Sequence, residues 1–141
     1  MNTENLISTM LEQHRELQKN IGLALSFSLK SGNNAAEIFQ ALAVFKNNLD
    51  AHLRLENDIF YVDLLKKMKE KKLDTSKTEL FIQEMVKIYG VIVSFLNDYA
   101  SADVIKNRIG EFRKILPDII DALNLRIESE ESGVYNYWVA L

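Results

Sequence analysis

Histidine and glutamate side chains occur in this sequence at a spacing that suits a buried metal ion. His52 and Glu56 stand four residues apart, so on a helix both project from one face on successive turns. Imidazole nitrogen and carboxylate oxygen are ligands that Zn²⁺, Fe²⁺, Mn²⁺ and Co²⁺ all accept. One such pair is a weak signal, because any pair on a solvent-exposed face can have the same spacing.

A short internal repeat contains a second copy of this histidine–glutamate motif, in which the histidine is replaced. Residues 125–136 run in step with residues 51–62. The aligned pairs are His52 with Arg126, Glu56 with Glu130 and Tyr61 with Tyr135. A guanidinium is always protonated and cannot coordinate a metal, whereas a neutral imidazole can. The site that the repeat builds should therefore lack one metal ligand, at Arg126.

Few turn-forming residues interrupt the chain, which predicts long helices. The 141 residues include only five glycines and one proline, so the stretches between turn signals are far longer than typical strands. The predicted helices cover about residues 4–30, 35–71, 77–99 and 102–132. Short connections between four helices predict an all-α, up-down-up-down antiparallel four-helix bundle. We expect one domain over residues 1–141.

Local features refine these helix limits. Asn34 is expected to cap the second helix and Ser101 the fourth. Pro117 should kink the fourth helix, because its ring removes one backbone donor and clashes with the preceding turn. The tail, residues 134–141, is too apolar for a free terminus, so we expect it to fold back onto the bundle or to pack against a second copy.

The composition excludes several classes of protein. With 48% hydrophobic and 26% charged residues, the chain fits a soluble domain with a sizeable core. A formal net charge of −3 gives no electrostatic surface for nucleic acid or for an anionic membrane. The absence of cysteine excludes disulfides, thiolate zinc sites and iron–sulfur clusters. Neither a signal peptide nor a long apolar run is evident, and a cytoplasmic location is expected.

Polar residues interrupt the apolar stripes that should face the bundle axis. They are His14 on the first helix, His52 and Glu56 on the second, and Arg126 and Glu130 on the fourth. The stripe of the third helix has no such break. Burial without partners would cost on the order of several kcal/mol per charge, so these groups are expected to contact one another or an ion.

In order, spacing and position, these residues resemble the hemerythrin-like family, also called the HHE cation-binding domain. The chain has a histidine on the first helix, His-x-x-x-Glu on the second, an altered copy of that motif on the fourth, and an aromatic residue nine positions into each pair. The resemblance covers nearly the whole chain. It implies an antiparallel four-helix bundle that holds two bridged iron ions and binds dioxygen or related small molecules.

Carried over by position, the resemblance assigns four metal ligands. His14 matches the first-helix ligand, His52 and Glu56 the second-helix pair, and Glu130 the fourth-helix carboxylate. The histidines expected on the third and fourth helices are replaced by Met85 and Arg126, and Tyr89 stands where some members have a further histidine. In the family those histidines serve the second iron. The implied cofactor is therefore one divalent metal, iron or zinc, with Arg126 binding the carboxylates in place of the second ion.

Tyr61 and Tyr135 are expected beside the site, near one end of the bundle. Each hydroxyl could donate a hydrogen bond to a ligating carboxylate. The favoured interpretation is that the ring packs in the core while the hydroxyl lies in solvent.

These residues are compatible with three functions. The first is a metal-binding module that carries one ion in a degenerate di-iron site, with a sensory or regulatory role and a small diatomic or peroxide ligand. In the second, Arg126 closes a metal-free site, and the bundle is a structural or protein-interaction module that binds a protein partner or forms a homodimer. The third is a di-iron oxygen-binding protein with an altered ligand set. No catalytic residue is predicted, because no acid, base or nucleophile array stands apart from the metal residues.

Overall fold

A computed structural model describes residues 3–141 of the chain. These residues are helical apart from short turns, and they form no β-strand. The α-helices are α1 (Thr3–Leu29), α2 (Ala35–Leu55), α3 (Tyr61–Glu70), α4 (Ser76–Asp98), α5 (Ala102–Asn107), α6 (Ile109–Ser129) and α7 (Tyr135–Ala140). Two π-helical turns, Glu56–Phe60 and Glu130–Val134, join α2 to α3 and α6 to α7.

The helices form the all-α bundle expected from the sequence. α1 and α4 are single helices, whereas α2 with α3, and α5 through α7, make up the other two long members. Within the described residues no helix is both long and apolar enough to span a membrane. The predicted ends of the first three helices lie within one residue of the observed ends.

The turn between α1 and α2 differs from the prediction. Asn34 precedes α2, but its side chain makes no capping hydrogen bond to that helix. Its Nδ2 instead donates to the carbonyl oxygens of Phe27 at 3.2 Å and Lys30 at 3.3 Å. The predicted cap is therefore wrong, and the Asn34 side chain instead binds carbonyl groups at the end of α1. Gly32 has a φ of 92°, a left-handed conformation that glycine adopts without strain.

The fourth member of the bundle begins as predicted and is interrupted elsewhere. The Oγ of Ser101 accepts a hydrogen bond from the backbone N of Val104 at 3.2 Å. The interruption lies at Arg108, between α5 and α6. Pro117 lies inside α6, which continues through this residue, so the kink expected there stays a prediction. Pro117 is exposed, so water can replace the backbone hydrogen bond that proline cannot donate.

The apolar tail continues the fourth member as α7 instead of folding back. Trp138 on α7 is buried, and its Nε1 donates to Oδ2 of Asp63 on α3 at 2.7 Å. The ammonium of Lys67 lies 4.3 Å from the centroid of the Trp138 ring. Val134, Tyr135 and Trp138 of the tail are therefore buried in the bundle, but the tail reaches it by continuing the fourth member and not by folding back.

Two apolar clusters fill the bundle. The larger cluster comprises Leu17, Ile21, Ala24, Ala35, Ile38, Ala41, Leu42, Phe45, Leu49, Tyr89, Ile92, Phe95, Leu96, Tyr99, Ile105, Phe112, Leu116, Ile119, Leu123 and Ile127. The smaller cluster comprises Leu6, Met10, Phe60, Tyr61, Leu64, Met68, Val134, Tyr135 and Trp138. On α1, His14 lies between Met10 of the smaller cluster and Leu17 of the larger one. The predicted polar seam therefore lies between two apolar regions.

Candidate metal centre

Four potential metal ligands meet in the interior of the bundle. They are His14 from α1, His52 from α2, and Glu56 and Glu130 from the first positions of the two π turns. All four side chains are fully buried, and one ligand atom from each lies within 4.8 Å of the others. Ligands about 2.0–2.2 Å from a metal are separated by roughly 3–4.4 Å, so the cluster is close to the size of an ion's coordination sphere.

The atoms that face the centre of this cluster are acceptors. Nε2 of His14 lies 3.2 Å from Nε2 of His52 and 3.2 Å from Oε1 of Glu130. Nε2 of His52 also lies 3.2 Å from Oε2 of Glu56. Glu130 Oε1 is buried and has no hydrogen-bond partner. An unpaired buried acceptor is costly, and a cation at the centre would satisfy it.

The outer nitrogens of both rings have acceptors of their own. Nδ1 of His14 lies 2.7 Å from Oε2 of Glu131, and Nδ1 of His52 lies 2.8 Å from Oε1 of Gln13. Because a carboxylate only accepts hydrogen bonds, Nδ1 of His14 is the donor, and Nε2 keeps its lone pair in the neutral ring. Burial, together with the neighbouring His52, lowers the pKa of His14 to about 4. Near neutral pH this imidazole is therefore uncharged, as metal ligation requires.

The two glutamates differ in their affinity for a proton. Burial, and then the adjacent Glu56, hold the pKa of Glu130 well above its ordinary range. Burial acts on Glu56 in the same direction, but hydrogen bonds with Glu130 and His52 and the charge of Arg126 outweigh it, so the pKa of Glu56 is lowered. Of the two carboxyl groups, Glu130 therefore binds a proton more readily than Glu56 does.

Arg126 binds the side of the carboxylates that faces away from the histidines. Its Nη2 contacts Oε1 of Glu56 and lies 3.3 Å from Oε2 of Glu130. The guanidinium carbon lies 3.1 Å from the ring centroid of Tyr89, and the arginine side chain is only 1% exposed. Met85 is buried one turn before Tyr89 on α4. Each glutamate thus offers one oxygen to a histidine and the other to Arg126.

The two tyrosines of the repeat cross-link its two halves. The hydroxyl of Tyr61 donates to Oε2 of Glu130 at 2.9 Å, and that of Tyr135 donates to Oε2 of Glu56 at 2.9 Å. Both side chains are buried. The favoured interpretation from the sequence, with hydroxyls in solvent, is therefore wrong. Burial, followed by the charges of the two glutamates, raises the pKa of both tyrosines, which keeps them protonated as donors.

Sequence reasoning missed two residues of this site, Gln13 and Glu131. Gln13 stands directly beside His14, and Glu131 stands directly beside Glu130. Because these neighbours already occupy the interior-facing stripe of their helix, helical periodicity does not assign Gln13 or Glu131 to the bundle interior. A search for acceptors next to each predicted ligand would have found both. They matter because they determine which nitrogen of each ring faces the cluster.

Comparisons with known proteins agree with this arrangement. The sequence model of the hemerythrin HHE cation-binding domain matches residues 5–138, a span that includes all four candidate ligands. Neither a curated protein nor a solved structure matches the chain. Because the family match covers more than half of the sequence, the chain belongs to the hemerythrin family of HHE cation-binding domains.

Proposed function

We propose that the protein binds one divalent metal ion, iron or zinc, through His14, His52, Glu56 and Glu130. The observation that carries this proposal is the convergence of buried acceptors, two imidazole nitrogens and two carboxylate oxygens, around one point. A cation would satisfy all of these atoms, including the unpaired Oε1 of Glu130. Iron and zinc both accept imidazole nitrogen and carboxylate oxygen as ligands, so this donor set suits either ion.

The charges support one ion better than two. The chain contains only two histidines, and both belong to the ligand set of a single ion. On the other side of the glutamates, the positive charge of Arg126 already binds both carboxylates. A second ion would meet a guanidinium there and would have no imidazole ligand. This argues against the alternative of a di-iron oxygen-binding protein with an altered ligand set.

A sensory or regulatory role fits such a site better than oxygen carriage. Reversible dioxygen binding in the family uses two irons, which together supply two electrons, and this proposal provides one ion. Four protein ligands leave coordination positions free on iron, where a small diatomic molecule or peroxide would bind. We therefore propose a non-enzymatic, oxygen-related module, with a cytoplasmic location as a further expectation.

A metal-free bundle is the second candidate, and a specific observation favours it. Arg126 contacts both glutamates, and the raised pKa of Glu130 allows a proton to take the place of the ion. In that case Glu130 Oε1 would donate to Nε2 of His14, 3.2 Å away. The bundle would then act as a structural or interaction module, through a protein partner or a second copy.

Titration of the metal-free protein separates the two candidates. Zn²⁺, or Fe²⁺ without oxygen, is added to chelator-treated protein, and heat is followed by calorimetry. The proposal predicts an end point at about one ion per chain, which His52→Ala removes and Glu128→Ala leaves unchanged, because Glu128 is exposed and outside the cluster. Absence of specific binding by the wild type would favour the metal-free bundle.

A further inference from the structure

We propose that Glu131 is a positioning residue of the metal centre, which holds the ring of His14 with Nε2 directed at the ion. This inference rests on the proposed function, because it assigns a role at the same site. Glu131 is not one of the four clustered ligands, and its carboxylate lies on the outer side of the ring. It acts on the ion only through His14.

The contacts form a line from the buried site to the surface. The His14 side chain is 0% exposed, that of Glu131 is 25% exposed, and that of Arg15 is 58% exposed. Oε2 of Glu131 lies 2.7 Å from Nδ1 of His14 and also contacts Nη2 of Arg15. A charge-assisted hydrogen bond of this length is strong and directional. It therefore fixes both the orientation of the ring and the nitrogen that carries the hydrogen.

Consecutive residues of the second π turn hold this one ring from both sides. Glu130 places Oε1 3.2 Å from Nε2 of His14, and Glu131 places Oε2 2.7 Å from Nδ1. In the first repeat the position that corresponds to Glu131 is Asn57, which is exposed. There the outer partner of His52 comes from α1, as Gln13. The two histidines thus receive their outer partners from different elements, His14 from the second π turn and His52 from α1.

The two outer partners also differ in charge. Glu131 offers His14 a carboxylate, whereas Gln13 offers His52 a neutral amide oxygen. A carboxylate partner makes an imidazole more basic and so a stronger metal ligand. Glu131 should therefore contribute through its charge as well as through its geometry. Substitution with glutamine, which keeps an acceptor but loses the charge, separates these two contributions.

The effect of Glu131 on the geometry of the His14 ring can be tested without any metal. In ¹⁵N-labelled metal-free protein, NMR of the ring nitrogens reports which nitrogen of each histidine carries the hydrogen. We expect hydrogen on Nδ1 of both rings in the wild type. Glu131→Ala should shift His14 alone toward hydrogen on Nε2, Gln13→Ala should shift His52 alone, and Glu131→Gln should retain the wild-type pattern for His14. An unchanged His14 ring in correctly folded Glu131→Ala would overturn the proposal.

The effect of Glu131 on metal affinity is measured by competition with a chelator for Zn²⁺. Loss of an outer partner typically weakens metal binding by about 10–100-fold, and we expect this for Glu131→Ala, with a smaller loss for Glu131→Gln. Glu128→Ala, which removes a nearby exposed carboxylate of equal charge, should bind as the wild type does. Equal affinities for Glu131→Ala and Glu128→Ala would refute the positioning role. A wild type that binds neither Zn²⁺ nor Fe²⁺ would refute the proposed function, while the ring-nitrogen spectra would still decide the role of Glu131.

Discussion

Arg126 lies on the side of the two buried glutamates that faces away from the histidines. It contacts one oxygen of Glu56 and approaches one of Glu130, while His52 and His14 lie near the opposite oxygens. Both carboxylates therefore bridge two sides of the site. A fixed positive charge lies on one side, and the proposed exchangeable ion lies on the other.

Substitution of Arg126 with methionine tests how far the carboxylates depend on it. Removing one partner from a buried ion pair usually costs about 3–5 kcal/mol, because the remaining charge stays buried. We expect a loss of this size in the unfolding free energy of chelator-treated Arg126→Met, measured by urea denaturation. Arg54→Met is the control, since Arg54 is exposed and should change stability by no more than about 0.5 kcal/mol. Equal stabilities of the two variants would show that the buried glutamates do not need the guanidinium.

The tyrosine hydroxyls give a second prediction. Tyr61→Phe and Tyr135→Phe each remove a donor from a buried carboxylate oxygen, which should cost about 1–3 kcal/mol of unfolding free energy. Tyr137→Phe is the control, because Tyr137 is 38% exposed. The measurement is urea denaturation of the three metal-free variants. If Tyr61→Phe and Tyr135→Phe behave like the control, the hydroxyls do not support the carboxylates.

The sequence identified the ligands better than it identified their surroundings. His14, His52, Glu56 and Glu130 interrupt apolar stripes, which makes their convergence predictable from helical periodicity. The direction of a tyrosine hydroxyl depends on local helix geometry, and the partner of a ring nitrogen depends on neighbouring helices. Neither is encoded in the periodicity, so Glu131 was missed.

The two π turns are the elements that give the site its geometry. Each begins at a candidate ligand, Glu56 or Glu130, and each is followed by a tyrosine that crosses to the opposite glutamate. A π turn is wider than an α turn and shifts the register of the helix that follows. The structure buries Phe60 and leaves Ile59 47% exposed.

Deletion of Asp58 should convert the first π turn to a regular α-helix without changing the face of α3 that is buried. Leu64 follows Glu56 by eight residues, or by seven after the deletion, and seven residues make about two turns of an α-helix. Leu64 and Met68 should therefore stay in the smaller cluster. Deletion of Asn47, an exposed residue in the regular part of α2, is the comparison: it should rotate the following residues by about 100° and cost more than about 3 kcal/mol of unfolding free energy, measured by urea denaturation. Equal losses in the two deletion variants would contradict the role assigned to the π turn.

At the scale of the whole molecule, the fold does not depend on a metal alone. Apolar clusters flank the polar site on both sides, so substitution of one ligand leaves most of the buried apolar surface in place. The bundle was predictable because long apolar stripes and few turn residues indicate long helices, which bury their apolar faces against one another. The course of the tail was not, since α7 is short and its burial depends on Trp138 meeting α3.

The metal content of the protein as it is produced in cells tests the central claim most directly. Protein is purified without chelator and without a nickel column, and metals are counted per chain by mass spectrometry for the wild type and for His52→Ala. We predict about one iron or zinc ion per wild-type chain and none above background in the variant. A wild type without metal, or a variant that retains the same ion, would contradict the assignment of His14, His52, Glu56 and Glu130 as a metal centre.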